Sequence, residues 1–157
     1  MDLGLKDKVV FITGASSGIG LATAEIFANE EAKVIICGRN MSNLKKAKDE
    51  IKKITNRDVD YFSCDTSKFD QVESVVKKIT DKHGKIDILI NNAGKAQAGG
   101  VVDAPNEAWS SMIDVKIFSL INTCKIIAPI MKKNNWGRIV NMSSIGGIYP
   151  NPKLTIS

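Results

Sequence analysis

The sequence predicts an α/β fold in which a doubly wound parallel sheet carries helices on both faces. Three observations predict it. Short apolar, β-branched runs alternate with amphipathic segments of helical length from one end of the chain to the other. Most of those runs are apolar at every position, as strands covered on both faces are. The first of them ends in Thr13-Gly14-Ala15-Ser16-Ser17-Gly18-Ile19-Gly20, a glycine-rich turn that leads directly into a helix. Right-handed crossovers make such a sheet parallel. In its dinucleotide-binding version the strand order is 3-2-1-4-5, with ligand outside the carboxyl ends of the strands.

The elements follow in order. The first strand is expected at residues 8–12, and the helix after the glycine turn covers residues 21–28. The continuous apolar run at 33–37 is the second strand. A helix is expected from Ser42, its N-cap, to Ile54, with Leu44, Ala47, Ile51 and Ile54 in one apolar stripe. The third strand lies at 59–63. The next helix spans 68–82, turns Phe69, Val72, Val75, Val76 and Ile79 inward, and stops at Gly84. Residues 86–90 form the fourth strand, which ends at Asn91-Asn92-Ala93-Gly94. An aperiodic loop at 95–104 leads through Pro105 into one long helix, 106–133, bent or loosened near Pro129. The fifth strand is expected at 137–143, and residues 144–157 read as loop.

Composition bounds the function. A chain of 157 residues with 43% hydrophobic and 25% charged content is expected to form a single soluble domain. Its first ten residues carry four charges and run straight into a strand, so no secretory signal is expected. The longest mostly apolar run, 117–131, is interrupted by Asn122 and Lys125 and is too short to span a bilayer. Cys37, Cys64 and Cys124 show no paired spacing and read as small buried residues of a reducing cytoplasm. With the single His83 they supply too few ligands for a metal site. The net charge of +5 comes largely from helices in which Lys alternates with Asp or Glu, as at 43–50. No aromatic residues are interleaved with the basic ones, so neither nucleic acid nor membrane is an expected partner. His83 reads as a residue of a helix C-terminus, Trp109 and Phe118 as packing residues, Trp136 as a lid over the core, and Met112 and Met131 as core filler.

The glycine turn points to a phosphate-bearing ligand. Glycines let a diphosphate approach bare backbone, and the first N–H groups of the following helix face the anion. The end of the second strand bears on which dinucleotide is bound. A fold that prefers NAD carries an acidic residue about 20 residues past the glycines to bind the ribose 2′-hydroxyl. Here the text is Cys37-Gly38-Arg39-Asn40, with no carboxylate to repel a 2′-phosphate and with a guanidinium fork able to clamp one. NADP(H) is therefore favoured over NAD(H). The competing reading of Arg39 is an exposed loop cation.

Four stretches in order and spacing resemble the short-chain dehydrogenase/reductase family, Rossmann-fold oxidoreductases that use NAD(P). They are 13–20, Asp65 in Cys64-Asp65-Thr66, Asn91-Asn92-Ala93-Gly94, and Gly137-Arg138-Ile139-Val140-Asn141-Met142-Ser143-Ser144. In style the chain is similar to bacterial 3-oxoacyl-carrier-protein reductases and to sugar or polyol dehydrogenases. The resemblance implies that Gly14, Ser16, Ser17, Gly18, Ile19 and Gly20 cradle the diphosphate, with Arg39 and Asn40 at the adenosine ribose. Asp65 would accept from the adenine amino group while Thr66 lines that pocket; an ordinary Asx turn is the alternative for Asp65. Asn91, Ala93 and Gly94 would flank the nicotinamide ribose, with Asn91 also able to tie the central strands together. Ser144 matches the catalytic serine, which hydrogen-bonds the substrate oxygen.

The departures are equally specific. The family uses a tyrosine, followed one helical turn later by a lysine, to move the proton that accompanies hydride transfer. Its register falls on Ser157, the last residue, and Tyr149 lies only five residues past Ser144. Either the chain stops short of the tyrosine or serine replaces it, and the lysine is absent in both cases. Lys116 occupies the place of a helical asparagine that feeds the proton relay; drift and a site-facing ammonium are both open. Family members continue beyond this point. The chain is thus expected to be a C-terminally incomplete or degenerate member, with its fifth strand an exposed edge and a homo-oligomer in the full-length form. The function the resemblance implies is interconversion of a carbonyl and a secondary alcohol with NADP(H). The alternative is a non-catalytic nicotinamide-dinucleotide-binding module.

Overall fold

Each apolar run becomes a strand of one sheet in the computed structural model, which describes residues 3–149 and 151. The strands are β1 (Val9–Thr13), β2 (Lys33–Gly38), β3 (Asp60–Ser63), β4 (Ile88–Asn91) and β5 (Arg138–Asn141). Their order is β3-β2-β1-β4-β5, and every pairing is parallel. The predicted fold class and strand order are those observed. Phe11 of β1 stands opposite Ile35 on one side and Leu89 on the other, so β1 is the fully surrounded centre of the sheet.

Strand side chains alternate between faces, and each face finds its own helices. Val9 and Phe11 join a core with Val72 and Val76 of α3 (Phe69–His83) and Ile127 and Met131 of α5 (Ser119–Lys133). Val10 and Ile12 join the opposite core with Ala24 and Ala28 of α1 (Gly18–Asn29) and Leu44 and Ile51 of α2 (Met41–Thr55). Burying apolar surface at about 25 cal/mol per Å² on both faces drives the layered arrangement. Met112 and Met131 are buried as expected, and Gly84 ends α3 in the left-handed conformation with its N–H on the Thr80 carbonyl.

Several expectations need correction. Asn40, not Ser42, caps α2: its backbone is extended and its side-chain oxygen accepts from the Asn43 N–H at 3.0 Å. The helix therefore starts one residue before Ser42. The α2 stripe is also narrower than expected, since Ile54, in the last turn of the helix, is 59% exposed.

The single long helix is in fact two. The helix α4 (Asn106–Ile113) gives way to a π-helical turn, Asp114–Phe118, before α5 begins. The Ser119 N–H reaches the Asp114 carbonyl, five residues back, and the Ser119 hydroxyl donates to the same oxygen at 3.3 Å. Ser119 is in turn held by Thr66 from the loop after β3, at 2.9 Å. α5 then runs through Pro129 to Lys133.

The fifth strand is shorter than expected and exposed at all four residues, as befits the edge of the sheet among the described residues. Trp136 precedes it and lies partly buried over the second core. Its ring is approached by the Lys8 ammonium at 4.1 Å and by the Arg138 guanidinium at 5.1 Å.

Candidate functional site

Thr13 builds the site from the centre of the sheet. Its side chain, all but buried at the end of β1, donates to the Ile90 carbonyl and accepts from the N–H groups of Asn92 and Ala93, both at 3.0 Å. Asn92 reciprocates, its amide donating to the carbonyls of Thr13 and Gly14 at 3.1 and 3.0 Å. The glycine turn is thereby clamped onto the end of β4. Only glycine fits at Gly14, where φ is +65° and a Cβ would stand 2.7 Å from the Ala93 Cα. A Cβ at Gly20 would lie 2.6 Å from the Gly14 carbonyl oxygen.

The turn delivers the chain to the N-terminus of α1. Ser17 occupies the N-cap, yet its side chain makes no capping hydrogen bond, and the first turn of α1 contains no acidic residue. The first amides of α1, at the positive end of its dipole, are thus uncapped.

A cleft of about 250 Å³ opens at this point, outside the carboxyl ends of the strands. It gathers predicted residues from distant parts of the chain: Gly14, Ser16 and Ser17 from the glycine turn, Arg39, Asp65 and Thr66, and Ala93 and Gly94. Arg39 is exposed, and among the described residues its guanidinium makes no ion pair. Asp65 forms the Asx turn, its Oδ1 accepting from the Ser67 N–H at 3.0 Å and the Ser67 hydroxyl at 2.7 Å, and it also lines the cleft. Thr66 is pinned from two sides, by Ser119 and by Asn122, whose amide donates to its carbonyl at 3.1 Å.

Other predicted residues stand outside the lining. Gly18, Ile19 and Gly20 form the first turn of α1, with the Ile19 side chain exposed. The Asn40 side chain is occupied by the cap of α2. Asn91 ties the central elements together: its Oδ1 accepts from Thr123 at 2.7 Å and its amide donates to Asn141 Oδ1 at 2.9 Å. Ser144 is exposed beyond β5, and its Oγ accepts from the Gly146 N–H at 3.2 Å. Tyr149 is 73% exposed, and Ser157 lies outside the described residues. Lys116 is half-buried on the π turn, next to Val115 of the cleft wall.

Sequence reasoning missed Gly38, Cys64, Val115 and Ser119, which also line the cleft. Gly38 lies beside Ser16, whose hydroxyl is 3.6 Å from where a Gly38 Cβ would be, an ordinary contact distance. A signal for Cys64 was available in its adjacency to Asp65. Val115 and Ser119 had none, because their place depends on the π turn.

A larger hollow of about 520 Å³ lies at the opposite, amino end of the strands. Its charges are already matched: Asp58 with Lys48 and Lys52, Glu31 with Arg57 and Lys6, Asp60 with Lys82 and His83. These partners hold all three carboxyls below the usual carboxylate range, in Asp60 against an opposing push from burial. Among the described residues no group of three or more His, Cys, Asp or Glu could hold a metal, and no helix is long and apolar enough to cross a membrane.

The family model described as short chain dehydrogenase matches residues 8–156. The chain belongs to that family. This short-chain dehydrogenase chain is 39% identical over 151 residues to the 3-oxoacyl-[acyl-carrier-protein] reductase of Thermotoga maritima, covering 96% of the chain and 61% of that protein. It is 37% identical to an uncharacterized oxidoreductase of Staphylococcus saprophyticus, covering 97% of the chain and 65% of the relative. The L-sorbose reductase of Gluconobacter frateurii, solved with NADPH and L-sorbose, matches with a TM-score of 0.94 and 31% identity over 99% of the chain and 59% of that structure. An NAD+-bound xylitol dehydrogenase matches with a TM-score of 0.92 and 29% identity, over 97% and 58%. The chain spans about three fifths of the length of the relatives it matches.

Proposed function

We propose that this chain is the dinucleotide-holding part of a short-chain oxidoreductase that interconverts a carbonyl and a secondary alcohol, with NADP(H) preferred over NAD(H). The observation that carries the reading is the cleft itself, where the glycine turn, the uncapped start of α1 and an unpaired Arg39 converge. The close approach of Gly14 to Ala93 fixes the turn against the end of β4, and at Gly18, with nothing within 4 Å of an added Cβ, the backbone stays open to a diphosphate.

In this reading Gly14, Ser16, Ser17, Gly18, Ile19 and Gly20 hold the diphosphate through backbone amides and hydroxyls. Arg39 clamps the 2′-phosphate, and Asn40, by capping α2, fixes where Arg39 leaves the strand. Asp65 keeps its Asx turn through Oδ1 and offers Oδ2 to the adenine amino group, with Thr66 beside it. Asn91, Ala93 and Gly94 flank the nicotinamide ribose. The bound dinucleotide supplies hydride chemistry. Ser144 would hydrogen-bond the substrate oxygen and stabilise charge developing there. Substrates are carbonyl compounds of the 3-oxoacyl thioester or sugar class, a reading supported by the reductases and dehydrogenase to which the chain is similar. A cytoplasmic homo-oligomer is the assembly proposed for a full-length form, and the half-exposed Ile113, Ile117, Phe118 and Ile121 support it.

A second reading, nucleotide binding without turnover, is favoured by the position of Ser144, exposed and engaged by Gly146, and by the exposure of Tyr149. Calorimetric titration and a turnover assay separate the two. Saturable NADPH binding is expected, and Arg39→Asp should weaken NADPH by about 10- to 100-fold, the worth of one or two charge-assisted hydrogen bonds, while changing NADH little. Failure to bind either dinucleotide overturns the proposal, and equal losses for both remove Arg39 from the 2′-phosphate. Turnover of ketones or 3-oxoacyl thioesters with NADPH identifies the enzyme; binding alone identifies the module.

A further inference from the structure

Two cysteines meet beneath the floor of the cleft. Cys37 lies in β2 opposite Phe62 of β3, and Cys64 follows two residues after Phe62. All three belong to the same face and the same core. The Cys64 N–H donates to the Gly38 carbonyl at 2.9 Å, keeping the two chain segments joined just past Cys37. The Cys37 and Cys64 side chains are thus neighbours within one core, on adjacent segments of the sheet. Their surroundings differ in one respect: Cys64, 2% exposed, lines the cleft, whereas Cys37 is fully buried. Arg39 lies two residues after the first cysteine, and Asp65 immediately follows the second.

We propose that Cys37 and Cys64 form a peroxide-oxidisable dithiol whose closure to a disulfide disables the dinucleotide cleft above it. The coupling to nucleotide rests on the proposed function; the thiol chemistry does not.

The roles follow from position. The neighbouring Cys37 thiol holds the Cys64 thiol below its ordinary value, while the same pairing and complete burial push Cys37 well up. Cys64, which lines the cleft, is the attacking sulfur, and Cys37, fully buried behind it, the resolving one. The Cys64 thiolate attacks one oxygen of hydrogen peroxide; the O–O bond breaks, and the departing hydroxide takes up a proton to leave as water. Cys64 is then a sulfenic acid. The Cys37 sulfur attacks it, the S–S bond forms, the S–O bond breaks, and a second water leaves with the Cys37 proton. The sulfurs together lose two electrons, and the peroxide is reduced to water.

A disulfide holds its Cα atoms at about 4.4–6.8 Å, so closure ties the end of β3 to β2 at that spacing. Drawing Cys64 toward β2 displaces Asp65 and the Gly38–Arg39 corner, where adenine and 2′-phosphate contacts originate. Conversely, a dinucleotide lying over Cys64 bars peroxide from it.

The test is peptide mapping of the full chain after hydrogen peroxide, with and without saturating NADPH, beside NADPH titration of reduced and oxidised protein. A linked Cys37–Cys64 peptide is expected, with Cys124 free. NADPH abolishes the link, and the oxidised chain binds NADPH at least about tenfold more weakly, the worth of one charge-assisted hydrogen bond, until dithiothreitol restores it. Oxidation confined to Cys124, or Cys64 oxidised without a link to Cys37, overturns the dithiol. A link that forms equally fast under NADPH and leaves affinity unchanged overturns the coupling. Reduced protein that binds no NADPH overturns the proposed function instead, and the peptide map still decides the thiol pair. Cys64→Ser removes the link, and circular dichroism of that variant separates loss of chemistry from loss of fold.

Discussion

Gly14 and Gly18 share a left-handed backbone but differ in what surrounds them, so alanine at each separates conformational strain from close approach. Alanine in that conformation costs about 1–2 kcal/mol at either position. At Gly18, with φ +58°, nothing lies within 4 Å of the added Cβ, so strain is the whole cost. At Gly14 the methyl would stand 2.7 Å from the Ala93 Cα and 3.0 Å from its nitrogen. Carbon atoms prefer about 3.5–4.0 Å, so the glycine turn and the end of β4 must move apart by about an ångström. That joint is held by four hydrogen bonds among Thr13, Gly14, Asn92 and Ala93. Weakening two of them at about 1 kcal/mol each adds roughly 2 kcal/mol to the strain. Gly14→Ala should therefore lose about 3–4 kcal/mol against about 1–2 for Gly18→Ala. Urea denaturation followed by far-ultraviolet circular dichroism measures both, provided the denaturant slopes agree. The smaller unfolded-state entropy of alanine affects both variants alike and cancels in the difference. Equal losses would mean that the clamp between turn and β4 does not constrain Gly14.

Thr123 is fully buried and donates to Asn91 Oδ1 at 2.7 Å, so Thr123→Val should cost about 1–3 kcal/mol by orphaning that oxygen. Thr123→Ser, which keeps the hydroxyl, should recover most of it, and a serine variant as unstable as the valine one would show that the hydroxyl bond to Asn91 is not what Thr123 chiefly contributes. At the far end of the sheet, burial pushes the Asp60 carboxyl up, but Lys82 at 2.6 Å and His83 at 2.9 Å outweigh it and hold it low. A carboxyl lowered in the folded state contributes stability that is present above its unfolded value, near pH 4, and lost as pH falls through the folded one. Urea midpoints measured from pH 6 downward should fall more steeply in the wild type than in Asp60→Asn; parallel curves would show that the trio does not contribute to acid sensitivity.

What could be read from the chain were the features whose cause is local. The all-apolar runs at β1, β2 and β4 specify strands covered on both faces, and alternation with helices then fixes a parallel sheet. The glycine turn was legible because tight turning, close approach and a helix start are written in adjacent residues. The π turn was not, because a slip of one residue hardly disturbs a 3.6-residue apolar pattern, and its anchor, Thr66, is 53 residues from Ser119. Ser42 and Asn40 are both good caps, and only the course of the chain leaving β2 chooses between them. Cys64 reads as core by composition; that it also floors the cleft follows from which strand ends meet there.

The clamp at Thr13 also dictates an order of events. β1 meets β2 after a single helix, but Thr13 meets Asn92 across 79 residues. Contacts that distant in sequence form slowly, because the chain between them must be ordered before they return any energy. The cleft is complete only where that joint has closed. A ligand selective for the finished cleft binds only chains in which the joint has closed. It adds to the stability of the folded protein as its concentration rises above its dissociation constant.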